Sequence, residues 1–353
     1  MLGLFRERAL LGLVGVDFGT HTLKAVTLAG RAGKFAIESA VEVATPKGAL
    51  VEHQLQDIER VGGALKSLRS LLRHSGSLAA TAVSGSHVFS RVLQLERELD
   101  GSDLGTRVQL EAEQLIPFPL DEVSIDYEVL GPSPNDPARH EVLLSAARTE
   151  SINGRVMALA EAGWQTRVVD VATHALGRAV LACYPELAAE GKVVALLDVG
   201  ATTLSFAAMV RGEVIYSRLQ NFGGDNYTQS IATFYNLPLD EAEQAKLRYN
   251  LPDHHEQDVT GPHVNALLQH IRRNSQLFCS ASSFRELGTL VLCGGGSLMP
   301  ELPAMLTAEL GIEVLHPDPF ALFAGESLPL AGQGPRFMTA FGLALRSFIP
   351  CPR

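Results

Sequence analysis

A short pattern that could bind phosphate occurs twice in the chain, at Asp17 and again at Asp198, 181 positions apart. Each copy reads as an apolar strand that ends in Asp-x-Gly-x-x-Thr-Leu. A glycine turn with free backbone N–H groups and nearby hydroxyls forms an anion cradle. An aspartate at such a turn can hold Mg²⁺, usually through water. Two such turns predict a duplicated architecture in which both bind the phosphates of one nucleotide.

Further segments could complete a nucleotide site. A strand runs into three glycines at residues 294–296, and consecutive glycines let the backbone approach a flat ligand such as a nucleoside. Phe222-Gly223-Gly224-Asp225 precedes a predicted helix, and Glu243 and Lys246 share one helical face from which they could reach the ribose or base. An ordinary surface ion pair is the alternative for these two residues. A predicted helix over Pro335–Phe348 carries small residues for packing.

Two sets of residues follow from this ordered pattern. Asp17 and Asp198 are predicted to face each other and to organise Mg²⁺, with Lys24 as a charge partner of the phosphates. The predicted nucleotide-binding residues are Gly19, Thr20, His21, Thr22, Lys24, Gly200, Ala201, Thr202, Thr203, Gly223, Gly224, Glu243, Lys246, Gly294, Gly295, Gly296 and Ser297.

Composition limits the class of protein. Of the 353 residues, 46% are hydrophobic and 19% charged, which is typical of a folded globular chain. A net charge of -10 without a basic stripe argues against a general nucleic-acid binder.

The apolar stretch Ala9–Val16 is too short to span a bilayer, so a cytoplasmic location is predicted. The cysteines form no CxxC pair, which predicts reduced thiols at Cys183, Cys279, Cys293 and Cys351.

The elements that position these residues follow the same duplication. After each turn comes a strand, a glycine-containing corner and a third strand, and helices follow. Gly76 is predicted to close the helix that contains Ile58–Leu72. Two α/β halves with mixed sheets are therefore predicted. The predicted division is a first domain over 1–87, 166–185 and 331–353, an α+β insertion over 88–165, and a second domain over 186–330.

The ordered set resembles the actin-like ATPase (FtsA/PilM) superfamily, and within it the PilM family of type IV pilus assembly proteins. The resemblance implies an actin-like, ribonuclease-H-like duplicated fold around a nucleotide cleft, with ATP and Mg²⁺ as cofactors. In family terms, 88–165 would be subdomain 1C, inserted into 1A, and 186–330 would be 2A and 2B. The segments that carry the resemblance are Met1–Leu4, Glu111–Val123, Val168–Val171, Phe222–Gly224 and Gly342–Phe348.

The same resemblance implies a partner. In PilM-like proteins the N-terminal cytoplasmic peptide of a PilN-like inner-membrane protein docks between 1A and 1C, which would place this chain at the membrane through its partner. Contacts with other platform proteins and homo-oligomer formation stay open. An apolar turn is also commonly local core, so that reading is the alternative for the predicted groove wall, Ile116, Pro117, Phe118, Pro119 and Leu120.

One difference from the usual PilM-like sequence bears on ATP hydrolysis. PilM-like sequences usually carry an acidic residue after the strand at 168–171, where this chain has Ala172, Thr173 and His174. Water positioning governs hydrolysis more than binding, so ATP binding is predicted together with at most weak ATPase activity. Two alternatives are a scaffold of a related secretion or pilus platform without turnover, and an actin-fold small-molecule kinase. FtsA shares 1C, but no amphipathic targeting helix is predicted near the C-terminal end.

Overall fold

The computed structural model describes residues 12–74, 76–85, 88–99, 101–133, 136–251, 254–324, 330 and 332–348. The segment Met1–Leu4, the beginning of the apolar stretch at Ala9, and Cys351 lie outside the described residues. The chain divides into two compact units. The first unit comprises Met1–Phe18, Thr22–Ala175 and Thr339–Arg353, and the second comprises Gly19–His21 and Leu176–Met338.

Within the described residues the first unit begins with five strands, and helices are then interspersed among the later strands. Its strands are β1 (Val14–Phe18), β2 (Thr22–Arg31), β3 (Lys34–Ala44), β4 (Leu50–Val51), β5 (Gln54–Leu55), β6 (Leu78–Val83), β7 (Val88–Glu96), β8 (Val123–Pro132), β9 (Arg139–Arg148) and β10 (Gln165–Val171). Its helices are α1 (Ile58–Leu71), α2 (Gly101–Leu115) and α3 (Thr149–Glu161), and α4 (Ala172–Cys183) leads into the second unit.

The second unit has its own strands and helices. The strands are β11 (Val193–Val199), β12 (Leu204–Val210), β13 (Glu213–Gln220), β14 (Thr289–Cys293) and β15 (Glu313–Leu315). The helices are α5 (Gly224–Tyr235), α6 (Leu239–Arg248), α7 (Gly261–Ala281), α8 (Leu302–Leu310) and α9 (Pro319–Phe323), and α10 (Met338–Ala344) returns the chain to the first unit.

The central sheets of the two units have the same topology. The first sheet has the order β10-β6-β1-β2-β3 and the second has β15-β14-β11-β12-β13. In each, the first strand of the repeat pairs antiparallel with the next strand and parallel with a later one. The remaining neighbours also match, antiparallel on one side and parallel on the other. The duplication predicted from the two Asp-x-Gly patterns is therefore confirmed.

A smaller sheet lies between β6 and β10 in sequence. It has the order β7-β9-β8, and α2 packs on it through Val108 and Ala112. Helix α3 packs elsewhere: its Ala158 and Leu159 join the core of β1, β2 and α1. By its packing, α3 is part of the core of the five-stranded sheet.

Several predicted boundaries differ from the observed ones. Helix α1 ends at Leu71 with an extended Leu72, so the prediction that Gly76 closes it is wrong. A Cβ on Gly76 would collide with the carbonyl of Gly12, which explains the glycine. The helix predicted over 335–348 is α10 flanked by two 3₁₀ turns, Gly334–Phe337 and Leu345–Ser347. No helix in the described part of the chain is long and apolar enough to cross a membrane.

Candidate functional site

The second Asp-x-Gly turn connects β11 to β12 in the second unit. Its backbone closes on itself, because Gly200 N–H donates to the Thr203 carbonyl at 2.8 Å. The Thr202 hydroxyl lies 3.2 Å from that of Thr20, which belongs to the same unit. Residues of the two predicted phosphate loops are therefore neighbours at this point. Both hydroxyls are only partly buried, so they are available to a ligand.

The Phe222–Asp225 segment fastens this turn. Gly224 N–H donates to the Gly200 carbonyl at 3.0 Å, and Asp225 N–H donates to the Ala201 carbonyl at 2.8 Å. A Cβ on Gly223 would lie 2.6 Å from the Gly200 carbonyl oxygen, so the close approach requires glycine. The first two N–H groups of α5 are thus used to hold the loop.

Asn226 is a site residue that sequence reasoning missed. Its Oδ1 accepts a hydrogen bond from Gly223 N–H at 2.8 Å, which fixes the residue that precedes α5. The available signal was an amide side chain three residues after a glycine at a helix start, the spacing of a capping box.

The ring of Phe222 anchors the same segment to α7. It stacks on His263 at 4.9 Å between ring centroids, and His263 stacks in turn on Tyr227 at 4.9 Å. Burial, with the charge of Lys246, lowers the pKa of His263 to about 4, so this imidazole is neutral at pH 7. A neutral ring packs between two aromatic faces without the cost of a buried charge.

His21, in the first Asp-x-Gly turn, pairs with Asp225 at the start of α5. Its Nε2 lies 3.0 Å from the Asp225 carboxylate, and both side chains are a little under half exposed. The hydrogen bond to Asp225 raises the pKa of His21, with burial acting in the opposite direction. His21, which is predicted to contact the nucleotide, therefore lies beside the carboxylate of Asp225.

Glu243 and Lys246 lie together on α6, facing α5. They form an ion pair at 2.6 Å, and Lys246 Nζ also donates to Thr228 Oγ1 at 2.8 Å and to the Gly224 carbonyl at 3.2 Å. The Thr228 hydroxyl lies 2.5 Å from Glu243 Oε2. Sequence reasoning missed Thr228, which lies one turn into α5. This network connects Glu243 and Lys246, the residues predicted to contact the ribose or base, to the Gly223–Gly224 turn.

The glycine loop after β14 packs tightly against β11. Gly294 has a left-handed φ of 89°, and a Cβ there would collide with the Asp198 carboxylate and the Val199 carbonyl. Its N–H donates to the Pro335 carbonyl at 3.0 Å. Gly295 differs, since a Cβ on it would meet no atom within 4 Å. The loop therefore presents an open backbone surface at Gly295.

Ser297 is buried within this loop. Its Oγ donates to the Gly294 carbonyl at 2.6 Å and lies 2.9 Å from His316 Nε2. Ser297 has no exposed surface, so its role is to hold the loop through hydrogen bonds, and it does not itself contact a ligand. Sequence reasoning missed His316, which follows β15 and carries no local signal.

Asp17 lies at the end of β1 in the first unit, opposite Lys24 of β2. The Lys24 ammonium lies 3.7 Å from the Asp17 carboxylate, and Thr22 begins β2. Asp17 and Asp198 belong to different units, and their joint hold on Mg²⁺ stays a prediction. In the described ranges no three His, Cys, Asp or Glu side chains gather into a metal cluster. Mg²⁺ held by these two aspartates would therefore need phosphate and water oxygens as well.

The predicted groove wall follows α2. Ile116 is buried in the core of the three-stranded sheet, and Phe118 and Leu120 pack partly against it. The Arg148 guanidinium lies over the Phe118 ring, 4.9 Å from its centroid. Pro117 and Pro119 are the exposed members of the segment. The segment thus serves as local core and also presents a proline surface.

Two residues at the end of β10 and the start of α4, where this chain differs from the usual PilM-like pattern, have partners within the protein. His174 Nε2 lies 3.1 Å from the Ser90 hydroxyl, and Asp170 accepts a hydrogen bond from Arg346 Nε at 3.1 Å. Asp170 is therefore paired with an arginine within the first unit.

Comparisons with known proteins agree with this architecture. The family model "Type IV pilus assembly protein PilM" matches residues 15–348. A chain in the solved PilM-PilN type IV pilus biogenesis complex is 30% identical, with 97% of this chain and 100% of that chain covered and a TM-score of 0.83. The ethanolamine utilization protein EutJ from Carboxydothermus hydrogenoformans is 16% identical, with 94% and 89% covered and a TM-score of 0.59, and shows the same fold. The predicted actin-like fold is confirmed, and the chain belongs to the PilM family of type IV pilus assembly proteins.

Proposed function

We propose that this protein is an ATP-binding scaffold of the type IV pilus inner-membrane platform, and that it binds the cytoplasmic N-terminal peptide of a PilN-like membrane protein. The observation that carries the nucleotide part is the set of loops held together in the second unit. The Gly200–Thr203 turn is hydrogen-bonded to Gly224 and Asp225, and its Thr202 hydroxyl lies beside that of Thr20.

The chemistry of these loops suits a polyphosphate. Hydroxyls and backbone N–H groups are donors without net charge, and such donors bind phosphate oxygens well. In the proposed site, Thr20, Thr202 and the amides of Ala201 and Thr202 hold phosphates. Mg²⁺ would supply further positive charge beside the phosphates, and Asp198 of the second unit would hold it through water. A contribution of Asp17 to this ion stays a prediction.

The glycine loop suits the nucleoside. Gly295 leaves its backbone open to a flat ligand, while Gly294 and Ser297 fix the loop against Asp198 and His316. Glu243 and Lys246 form the neighbouring wall through their contacts with Thr228 and Gly224. Their role in the proposal is to hold that wall in place.

The partner part rests on family membership and on the 30% identical chain in the PilM-PilN complex. In the proposal, the exposed Pro117 and Pro119 form part of the surface that the peptide contacts. A labelled peptide from the N-terminus of a PilN-like protein of the same organism should bind saturably. A flat titration up to the solubility limit of the peptide would contradict this part.

The nucleotide part is tested by calorimetric titration with Mg·ATP. Wild-type protein should bind at micromolar concentration or below. Thr202→Glu places a negative charge beside the phosphates and should weaken binding about tenfold or more. Thr307→Glu, on the exposed face of α8, is the matched control and should bind like wild type. Wild-type protein that binds no ATP would overturn the proposal and favour a scaffold without nucleotide.

A further inference from the structure

We propose that His316 is a positioning residue that holds the Gly294–Ser297 loop in its nucleoside-binding shape. This inference rests on the proposed ATP binding and adds a residue to it. His316 lies just after β15, the edge strand that pairs with β14. It therefore reaches the glycine loop from a segment about twenty residues further along the chain.

The Gly294 peptide is held from several directions. Its N–H donates to the Pro335 carbonyl, and its carbonyl accepts from both the N–H and the Oγ of Ser297, at 3.2 and 2.6 Å. Gly294 also packs against the Asp198 carboxylate and the Val199 carbonyl, which bound one side of this peptide. Ser297 Oγ is thus the contact through which His316 acts on the loop.

The protons in this contact can be assigned from its donors and acceptors. A serine hydroxyl has one proton, and the Gly294 carbonyl, 2.6 Å away, can only accept it. Ser297 Oγ must then accept from His316, whose Nε2 carries the hydrogen at 2.9 Å. The neutral Nε2–H tautomer and the imidazolium both donate at this nitrogen, so protonation of His316 leaves the contact intact.

The consequence is a selective effect on the nucleoside. The loop that His316 supports is the one assigned to the nucleoside, whereas phosphates are assigned to the Thr20 and Thr202 turns. Loss of the His316 donor should therefore weaken ATP binding and leave binding of tripolyphosphate, which has no nucleoside, unchanged.

The experiment compares dissociation constants for Mg·ATP and Mg·tripolyphosphate. His316→Phe keeps a flat ring without a donor and should raise the ATP constant about fivefold, the usual effect of one buried hydrogen bond. His316→Gln places an amide donor at a similar reach and should restore it to within about twofold. His140→Phe, in β9 of the first unit, is the control and should match wild type. Tripolyphosphate should bind all four proteins equally.

Each outcome decides the inference. Equal ATP affinity of wild type and His316→Phe would overturn it, as would an equal loss in His316→Phe and His316→Gln, because packing alone would then explain the effect. A parallel loss of tripolyphosphate affinity would also overturn it. If His316→Phe does not fold, Ser297→Ala takes its place, and wild-type ATP affinity in that variant would overturn the inference. Wild-type protein that binds no ATP would instead refute the proposed function itself.

Discussion

His21 and Asp225 form a pair whose charge state depends on several neighbouring groups. Asp225 and Glu243 raise the pKa of His21, whereas burial and Lys246 lower it, and the hydrogen bond to Asp225 has the largest effect. Because the folded-state pKa is raised, the pair stabilises the fold fully below the unfolded pKa of about 6.5. That contribution is lost as the pH rises through the folded pKa.

A first prediction at this scale is that Asp225→Asn lowers the pKa of His21 toward 6.5. The neutral amide still accepts a hydrogen bond but no longer favours the imidazolium. An NMR titration of the His21 Cε1–H resonance measures the shift. Glu309→Gln, which changes an exposed carboxylate paired with Arg272, should leave the His21 titration as in wild type. An unchanged His21 titration in Asp225→Asn would show that the carboxylate is not the cause.

Individual residues were predictable where their role is local. The hydroxyls and glycines of the two turns follow from turn chemistry, which a few consecutive residues specify. Thr228 and His316 were missed because their contacts join elements that are separate in sequence. Glu243 and Lys246 were recognised as a pair on one face, but their contacts with Thr228 and Gly224 depend on how α6 packs on α5.

At the scale of elements, helix α1 contains two adjacent glycines with different surroundings. Gly62 is buried against α3, where a Cβ would lie 2.7 Å from the Cβ of Glu161. Gly63 is exposed and would place a Cβ in open space. The same substitution at neighbouring positions therefore separates helix propensity from helix packing.

We expect Gly63→Ala to stabilise the protein by roughly 0.5–1 kcal/mol, because alanine loses less backbone entropy in a helix. Gly62→Ala gains the same propensity but must push α3 away, and should be destabilised by about 1–3 kcal/mol. Thermal unfolding of both variants measures the difference. Equal stabilisation by both would show that α1 and α3 tolerate a wider separation than their contact at Gly62 indicates.

Elements were predictable to the extent that their signals are periodic. The paired strand–turn–strand units and the helices α1, α2, α5 and α6 follow the apolar repeats. Their ends were less certain, since Gly76 is needed for close approach to Gly12, a contact distant in sequence. The π-turn over Glu256–Thr260 before α7 was also missed, because a wider helical turn has no distinct apolar period.

The whole molecule repeats one sheet topology in both units, and this was the strongest sequence-level prediction. It depended on two short patterns that are far apart but alike, so no long-range contact had to be known. The pairing of Asp17 and Asp198 around one Mg·ATP stays a prediction. In the proposed function the peptide and the nucleotide bind at distinct sites. A nucleotide that binds one conformation of the protein better than another shifts the population toward it, so the peptide affinity can respond to ATP.

A final prediction follows from this coupling. If Mg·ATP changes the affinity for the PilN-like peptide, the peptide must change the affinity for Mg·ATP by the same factor, typically about 5–150 in coupled systems. Four dissociation constants measure it: peptide with and without Mg·ATP, and Mg·ATP with and without peptide. Thr202→Glu should bind peptide with one affinity at ATP concentrations that saturate only wild type. If wild-type protein binds the peptide equally with and without Mg·ATP, peptide binding stands but ATP does not regulate it. If ATP changes the peptide affinity equally in wild type and Thr202→Glu, the response arises at another site.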